Sequence, residues 1–582
     1  MISFRIRGLR WWIGGAIAVT LIASLAALWL GPLLERVVRE RIESAAIRRG
    51  MVARVGSVHV GVWPLVRLEG FDLDLGHGAR LHADRIAATY PGRLRLAVRA
   101  ARLAGPAGLG ISSSATAWTV TGSGENLQLA LVEPQAGLSI RKLADSTGSG
   151  WNVEARGLDI DRLLEVRREG HPLLDGGIAN GSVSVRANSD ALDFHVDIGA
   201  RGTRFAALSE NAADESRLGD PTDVTARFDG TWKLAANAIE IPEIHGMVAG
   251  AELSGSITLR DIDTDPGVDL TLGARQMEFG RLLGAAGLEV PESLGMAVGA
   301  TPDLGSATIE VRVHGRASEP AALAVSQKIE FQPPRPMPPA ISRLRGDFVF
   351  RPDDGPGPHR AVDVSPSSAD FIALRDVPPL FLRTLLLSED AGFYGHRGID
   401  LRELPSALLT NWSRGGAARG ASTITQQLAK NLFLSRDKQV GRKLQELAIT
   451  FLLESALGKD RILEIYLNII EWGPGLRGLR PAARHYFGRE PQALTPAEMA
   501  FLVAIIPGPI KYQSSIARGT PSPGLRVLID NLLAKLRSVD AIGEEEYQRA
   551  LGELIVVGGS QMAPPAGVEP TTYRLGGGRS IH

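Results

Sequence analysis

Between about residue 50 and residue 325 apolar and polar side chains alternate with a period of two, as in Ile309-Glu310-Val311-Arg312-Val313-His314 and Leu192-Asp193-Phe194-His195-Val196-Asp197-Ile198. Successive side chains of a strand point to opposite faces, so this pattern predicts β-sheet with one wet face. Glycine and Asn/Asp turn signals recur between the runs, Asn188-Ser189-Asp190 among them, which predicts antiparallel meanders with few long helices. Pro333, Pro334, Pro336, Pro338 and Pro339 then form a stiff stretch that suits neither a ladder nor a helix, and a domain boundary is expected there. After about Asp370 the period moves toward 3.6 and holds to about Val557, so the second half is expected to be helical. From Met562 the chain is rich in Pro, Gly and polar residues without a hydrophobic period and reads as a disordered tail.

Ahead of the alternating region, Arg5, Arg7 and Arg10 precede an uncharged apolar run from Trp11 to about Leu30, close to the ~20 residues that cross a bilayer. Leu28, Trp29 and Leu30 carry the run past the alanines, where a cleaved signal peptide would end in small residues, so the segment reads as an anchor. Charge does not decide its orientation, because Arg36, Arg39, Arg41, Arg48 and Arg49 follow the anchor and outnumber the arginines before it. Across 582 residues Lys plus Arg (64) balance Asp plus Glu (64), so no overall field favours nucleic acid and an anionic ligand must be gripped by a local cluster. The absence of cysteine excludes thiol catalysis, disulfides and Cys-ligated zinc. Asp261, Asp263 and Asp265 read as a solvated turn rather than a calcium loop, since Pro266 follows and no EF-hand glycine pattern surrounds them. The expected architecture is an α+β multidomain chain: a short N-terminus (1–10), a transmembrane helix (11–32), an antiparallel β-rich region (33–325), a Pro-rich linker (326–345), an all-α domain (346–561) and the tail (562–582).

Four blocks in the helical half carry chemistry. The first is Ser388-Glu389-Asp390-Ala391-Gly392-Phe393-Tyr394-Gly395-His396-Arg397-Gly398-Ile399-Asp400, and the second Gly420-Ala421-Ser422-Thr423-Ile424-Thr425-Gln426-Gln427-Leu428-Ala429-Lys430-Asn431. Arg442-Lys443-Leu444-Gln445-Glu446 is the third, and the fourth runs from Ile462-Leu463-Glu464-Ile465-Tyr466-Leu467-Asn468 to Tyr486-Phe487-Gly488. Ser422, Gln426 and Lys430 fall at i, i+4 and i+8, and Gln427 is three from Lys430, so they can line one polar stripe of a helix. For Arg442, Lys443 and Glu446 the plainer reading is an exposed intrahelical ion pair, worth about 0.3–0.5 kcal/mol.

In order and spacing these blocks closely resemble the motifs of glycosyltransferase family 51, the peptidoglycan glycosyltransferases. The resemblance implies a lysozyme-like helical fold. It also implies a reaction in which the 4-hydroxyl of one lipid-linked sugar attacks the anomeric carbon of a growing chain and displaces polyprenyl pyrophosphate, with inversion. On that reading Glu389 is the general base and Glu446 the second glutamate, which orients the cations or a divalent ion at the leaving group. Lys430, Arg442 and Lys443 bind pyrophosphate, with Ser422, Gln426 and Gln427 lining the substrate cleft. Asp390, Phe393, His396, Gly398 and Asn468 support the motif, His396 by holding the loop after the catalytic helix. Glu464, set among apolar neighbours, is expected to be structural. The resemblance fixes no required cofactor and leaves a divalent cation, Mg or Mn, open. Lipid II, the growing glycan, membrane lipids and other cell-wall synthesis proteins are the implied partners, at the bacterial inner membrane with the catalytic domain in the periplasm.

Leu401, Leu404, Leu408, Leu409 and Trp412, beside Arg402, Arg414 and Arg419, fit either an amphipathic segment in the membrane interface or ordinary core packing. No S-x-x-K pattern with a downstream K-T-G follows, so cross-linking of peptides is not expected. The front region resembles AsmA-type envelope proteins through Gly56-Ser57-Val58-His59-Val60 and Gly246-Met247-Val248-Ala249-Gly250-Ala251-Glu252-Leu253. That resemblance implies handling of lipid or spanning of the periplasm, and a plain spacer is the alternative. Two other classes compete with a polymerase: a non-catalytic envelope protein that binds the lipid-linked precursor, and a lytic enzyme, which would not need the cation cluster.

Overall fold

The structure, a computed structural model, describes residues 35–558 apart from internal stretches, the longest being 206–217 and 404–421. The expected anchor (11–32), the tail from 562, and Leu404 to Arg419 of the amphipathic segment lie outside the described residues. No helix among the described residues is long and apolar enough to cross a membrane.

Among the described residues, nineteen strands from Val52 to Gln332 build one sheet. Nearly every strand pairs antiparallel with its neighbour in sequence, from Val52–Val60 against Val66–Gly76 to Ser306–Arg316 against Ala324–Gln332. The period-two pattern thus becomes cross-strand rows. One row runs Ile140, Val153, Val183, Val196, Phe228, Ile244, Gly255, Leu272, Val311 and ends at Gln327. The opposite face carries the charges, including Arg227 against Asp197 and His195 Nδ1 2.7 Å from Asp229 Oδ1. Trp151, Val185, Ile198 and Leu272, on the apolar face, are exposed in mid-sheet. Both ends of that face are covered. Val38 and Ile42 of a helix at 35–47 pack with Val55, Val58 and Leu68 at one end, and the helical lobe covers the other.

The lobe comprises α1 (Pro379–Glu389), α2 (Ile424–Phe433), α3 (Arg442–Ala456), α4 (Lys459–Ile469), α5 (Leu479–Phe487), α6 (Pro496–Ile505), α7 (Pro523–Ser538) and α8 (Glu544–Gly552). Every residue of α6 from Ala497 to Ile505 is buried, as its all-round apolar sequence dictates, and α1 and α7 pack on it. Its start is specified locally: Thr495 and Glu498 form a reciprocal capping box ahead of Pro496.

The expected linker 326–345 is folded over much of its length. Residues up to Gln332 complete the final strand, and Pro339–Arg343 form a short helix with Pro339 at its start, where the missing N–H costs nothing. Ala340 and Ile341 are buried in the same core as the lobe. That core also contains Phe279, Leu283, Leu294 and Leu304 of the β-region. At the junction Phe331 of the last strand stacks on Phe451 of α3 with ring centroids 5.4 Å apart, and Phe279 lies 5.7 Å from Phe451. The sheet and the lobe share one hydrophobic core where the prolines suggested separation.

Candidate active site

Glu389 is the last residue of α1, half-buried, with a chain of hydrogen bonds behind it. Gln427 Nε2 donates to Glu389 Oε2 at 2.8 Å, and the hydroxyl of the buried Tyr466 donates to Gln427 Oε1 at 2.8 Å. Tyr466 uses up the amide oxygen and so turns the amide nitrogen toward the carboxylate. Burial pushes the Glu389 carboxyl above its ordinary value; the bonds from Gln427 and Ser388 oppose this, the Asp390 charge adds to it, and Lys535 opposes it at longer range.

The remainder of the first block is scaffold. The Gly398 N–H donates to His396 Nδ1 at 3.1 Å, which makes that nitrogen the acceptor and leaves Nε2–H to donate to Asp390 Oδ1 at 2.8 Å. The other Asp390 oxygen accepts from the Ile424 N–H at 3.0 Å, so one buried carboxylate ties the end of α1 to the first turn of α2. Gly398 has φ +91°, and a Cβ there would stand 2.6 Å from the Thr450 methyl. The packing requires glycine. Phe393 is buried, with the Lys459 ammonium 4.4 Å from its ring centre.

Thr423 and Gln426 form a capping box that starts α2: the Gln426 N–H donates to Thr423 Oγ1 at 3.2 Å, and Gln426 Oε1 accepts from the Thr423 N–H at 3.0 Å. Gln426, assigned to the substrate cleft from sequence, is therefore buried and engaged in capping. The T-x-x-Q spacing already carried that signal. Ser422, one residue ahead of the cap, accepts from Lys443 Nζ at 3.0 Å, and Lys443 also pairs with Glu446. Glu446 is buried while Lys443 is half exposed, so the pair differs from the surface pair that spacing alone suggested.

Arg442 and Lys443 are the first two residues of α3, which has no acidic residue in its first turn. Cations at the positive end of a helix dipole are unfavourable in isolation; together with that dipole they make a local well for an anion. Lys430 stands exposed on α2. Asn468, expected to support the motif, holds backbone: its Oδ1 accepts from the Ile372 N–H and its Nδ2 donates to the Ile372 and Glu464 carbonyls. Glu464 accepts from the Leu374 N–H at 3.1 Å and pairs with Arg461 at 2.6 Å. Sequence reasoning passed over Tyr466 because its neighbours Ile465 and Leu467 mark a packed helix face. Among the described residues no group of three His, Asp or Glu side chains is placed to hold a metal ion. With Glu446 already paired to Lys443, the described residues do not by themselves build the divalent site left open by sequence.

The geometry turns on six residues. Stretch 422–427 touches the Glu389 carboxylate through Gln427 and the α3 cation cluster through Ser422. A family model described as Transglycosylase matches residues 359–523, which contain all of these groups. A biosynthetic peptidoglycan transglycosylase of Nitrobacter winogradskyi is 40% identical over 193 residues, 33% of this chain and 83% of that protein. The chain belongs to the transglycosylase family. The namesake from Nitrosomonas eutropha is 51% identical over 132 residues, 23% of this chain and 54% of that one. That from Herminiimonas arsenicoxydans is 44% identical over 27% of this chain and 67% of its own. The chain thus spans about half the length of the Nitrosomonas relative (54%) and more of the other two. Among solved structures, penicillin-binding protein 1A from Haemophilus influenzae aligns over 24% of this chain and 17% of its own at 24% identity, with a TM-score of 0.15.

Proposed function

We propose that this transglycosylase polymerises a lipid-linked disaccharide, lipid II, into glycan strands by a single inverting displacement, on the outer side of the inner membrane. The observation that carries the reading is the pairing of a half-buried carboxylate with raised proton affinity, Glu389, and a cation-bearing helix N-terminus at Arg442 and Lys443, on one supporting turn. In the reaction the acceptor's 4-hydroxyl oxygen forms a bond to the anomeric carbon. The bond from that carbon to the pyrophosphate oxygen breaks, and its electron pair leaves with the diphosphate. Glu389 takes the hydroxyl proton, and burial suits it to this by raising its basicity. Arg442, Lys443 and Lys430 stabilise the charge growing on the leaving group, as preorganised cations do most effectively where water is scarce. Glu446 holds Lys443 in place. A lytic enzyme acting on a neutral glycosidic bond would have no use for that cluster.

Two features support a lipid-handling role for the sheet over a plain spacer. Its apolar face is exposed in the middle of the sheet, and a concavity of about 310 Å³ there is lined by Val153, Val183, Ile198, Val224 and neighbouring small residues. The segment 11–32 would anchor the chain. Full-length protein incubated with labelled lipid-linked disaccharide should yield polymer, and Glu389→Gln should yield none. Equal turnover by the two would remove Glu389 as the base.

A further inference from the structure

The final strand of the sheet, Ala324–Gln332, alternates cleanly: Ala324, Ser326, Lys328, Glu330 and Gln332 are exposed, while Val325, Gln327, Ile329 and Phe331 lie on the partly buried face. Gln327 is the exception on that face. It ends a cross-strand row that is otherwise apolar or glycine, with Val311 as its partner. A carboxamide in such a place is costly unless both halves are bonded, and a break of pattern without local compensation points to a task elsewhere.

Both halves are bonded, and to one loop. Gln327 Nε2 donates to the Ile399 carbonyl at 2.9 Å, and its Oε1 accepts from the Leu401 N–H at 2.9 Å. One side chain thus treats the two peptide groups flanking Asp400 much as a neighbouring strand would. The loop it grips closes the first catalytic block. Its near end is held by the Asp390–His396 bond and by Thr423 Oγ1 donating to the Gly398 carbonyl at 2.5 Å. Its far end leads through Leu401–Glu403 toward residue 404. The helices that carry the second and third blocks are also tied to the β-region by side-chain hydrogen bonds. Ser293 Oγ donates to the carbonyl of Phe433, the last residue of α2, at 2.9 Å, and Gln445 Nε2 of α3 donates to the Glu289 carbonyl at 2.6 Å.

We propose that Gln327 is a positioning residue for glycosyl transfer: through the loop 396–402 the last strand of the sheet sets the geometry of the first catalytic block, so sheet and lobe act as one working unit. The proposal rests on the polymerase reading above. It assigns to the sheet a mechanical share in the reaction that is separate from any lipid it handles.

Two variants of the full-length protein test it. Gln327→Leu suits the apolar face but leaves the Ile399 carbonyl and the Leu401 N–H without this partner, so the melting temperature should fall by about a few degrees, while well below the transition kcat falls about tenfold and KM changes less, as for loss of alignment rather than of binding. Gln327→Glu separates positioning from bulk packing. Its carboxylate accepts from Leu401 but repels the Ile399 carbonyl, whereas its protonated form can bond both. Its activity relative to the unmodified chain should therefore rise as pH falls. Wild-type kcat and KM in Gln327→Leu would overturn the proposal, as would losses that merely track a lowered melting temperature with a pH-independent ratio for Gln327→Glu. Hydrogen exchange at the Leu401 amide distinguishes failure of this proposal from failure of the polymerase reading. Should the unmodified chain make no polymer, the function reading fails, while faster Leu401 exchange in Gln327→Leu still supports the tether and unchanged exchange refutes it.

Discussion

Replacing Gln427 by methionine, which has similar length and volume and no donor, isolates what that amide does for Glu389. In the native chain Gln427 Nε2 is 2.8 Å from the carboxylate and favours its charged form, against a burial that favours the neutral one. A hydrogen bond to a charged group contributes about 1.5–3 kcal/mol, and ~1.4 kcal/mol corresponds to one pH unit. Half-burial of Glu389 places the effect near the lower bound, so its proton affinity should rise by about one unit. Because the base must be deprotonated to act, the acid limb of the kcat/KM profile should move up by about one pH unit, with the high-pH plateau largely kept. Tyr466→Phe should move the limb the same way by less, since the amide loses its orienting partner and keeps its donor. The assay is initial-rate polymerisation of labelled lipid-linked disaccharide across pH. An unmoved limb with a lowered plateau would refute the reasoning, because Gln427 would then be acting on substrate and not on the base.

The same shift has a consequence for stability. With its proton affinity raised in the folded state, Glu389 contributes stability below its ordinary titration range and loses it as pH rises through the folded value, so Glu389→Gln should melt higher than the unmodified chain near neutral pH and the gap should close near pH ~4. Gly398→Ala should destabilise by about 2–4 kcal/mol in chemical denaturation, from the positive φ plus the close approach to Thr450. Lys443→Ala leaves the buried Glu446 carboxylate without this partner and should cost about 1–2 kcal/mol, less than the ~3–5 of a fully buried pair because half the lysine faces solvent. Adding Glu446→Ala should recover stability and leave KM for the lipid-linked substrate raised.

The strands were legible because a one-face sheet writes itself directly as alternation, and Leu192–Ile198 and Ile309–His314 lie inside long strands. The pattern faded early at 325 because Gln327 occupies a position where an apolar residue was due, although the ladder continues to Gln332. The prolines after it were read as a spacer, since composition shows that a ladder must stop but not what the next turn packs against. Burial of Ile341 in the same core as Phe279 is a long-range fact with no local signature. At the site, the motif blocks identified which residues assemble but not how labour divides among them. Gln426 and Gln427 are adjacent and alike, and only the Thr423 cap and the Tyr466 hydroxyl show that one starts a helix while the other addresses the base.

Apart from the excursion between Gly148–Asp159 and Ile178–Ala187, which pair with each other, the strands pair mostly with their sequence neighbours; such a sheet is close to one-dimensional, and its length can change without altering either end. Neighbouring strands lie about 4.8 Å apart, so gain or loss of one hairpin in mid-sheet would move the 35–47 helix relative to the lobe by about 10 Å and carry the last strand, with Gln327, unchanged against its loop. The reach of the molecule is adjustable in hairpin-sized steps, independently of its chemistry.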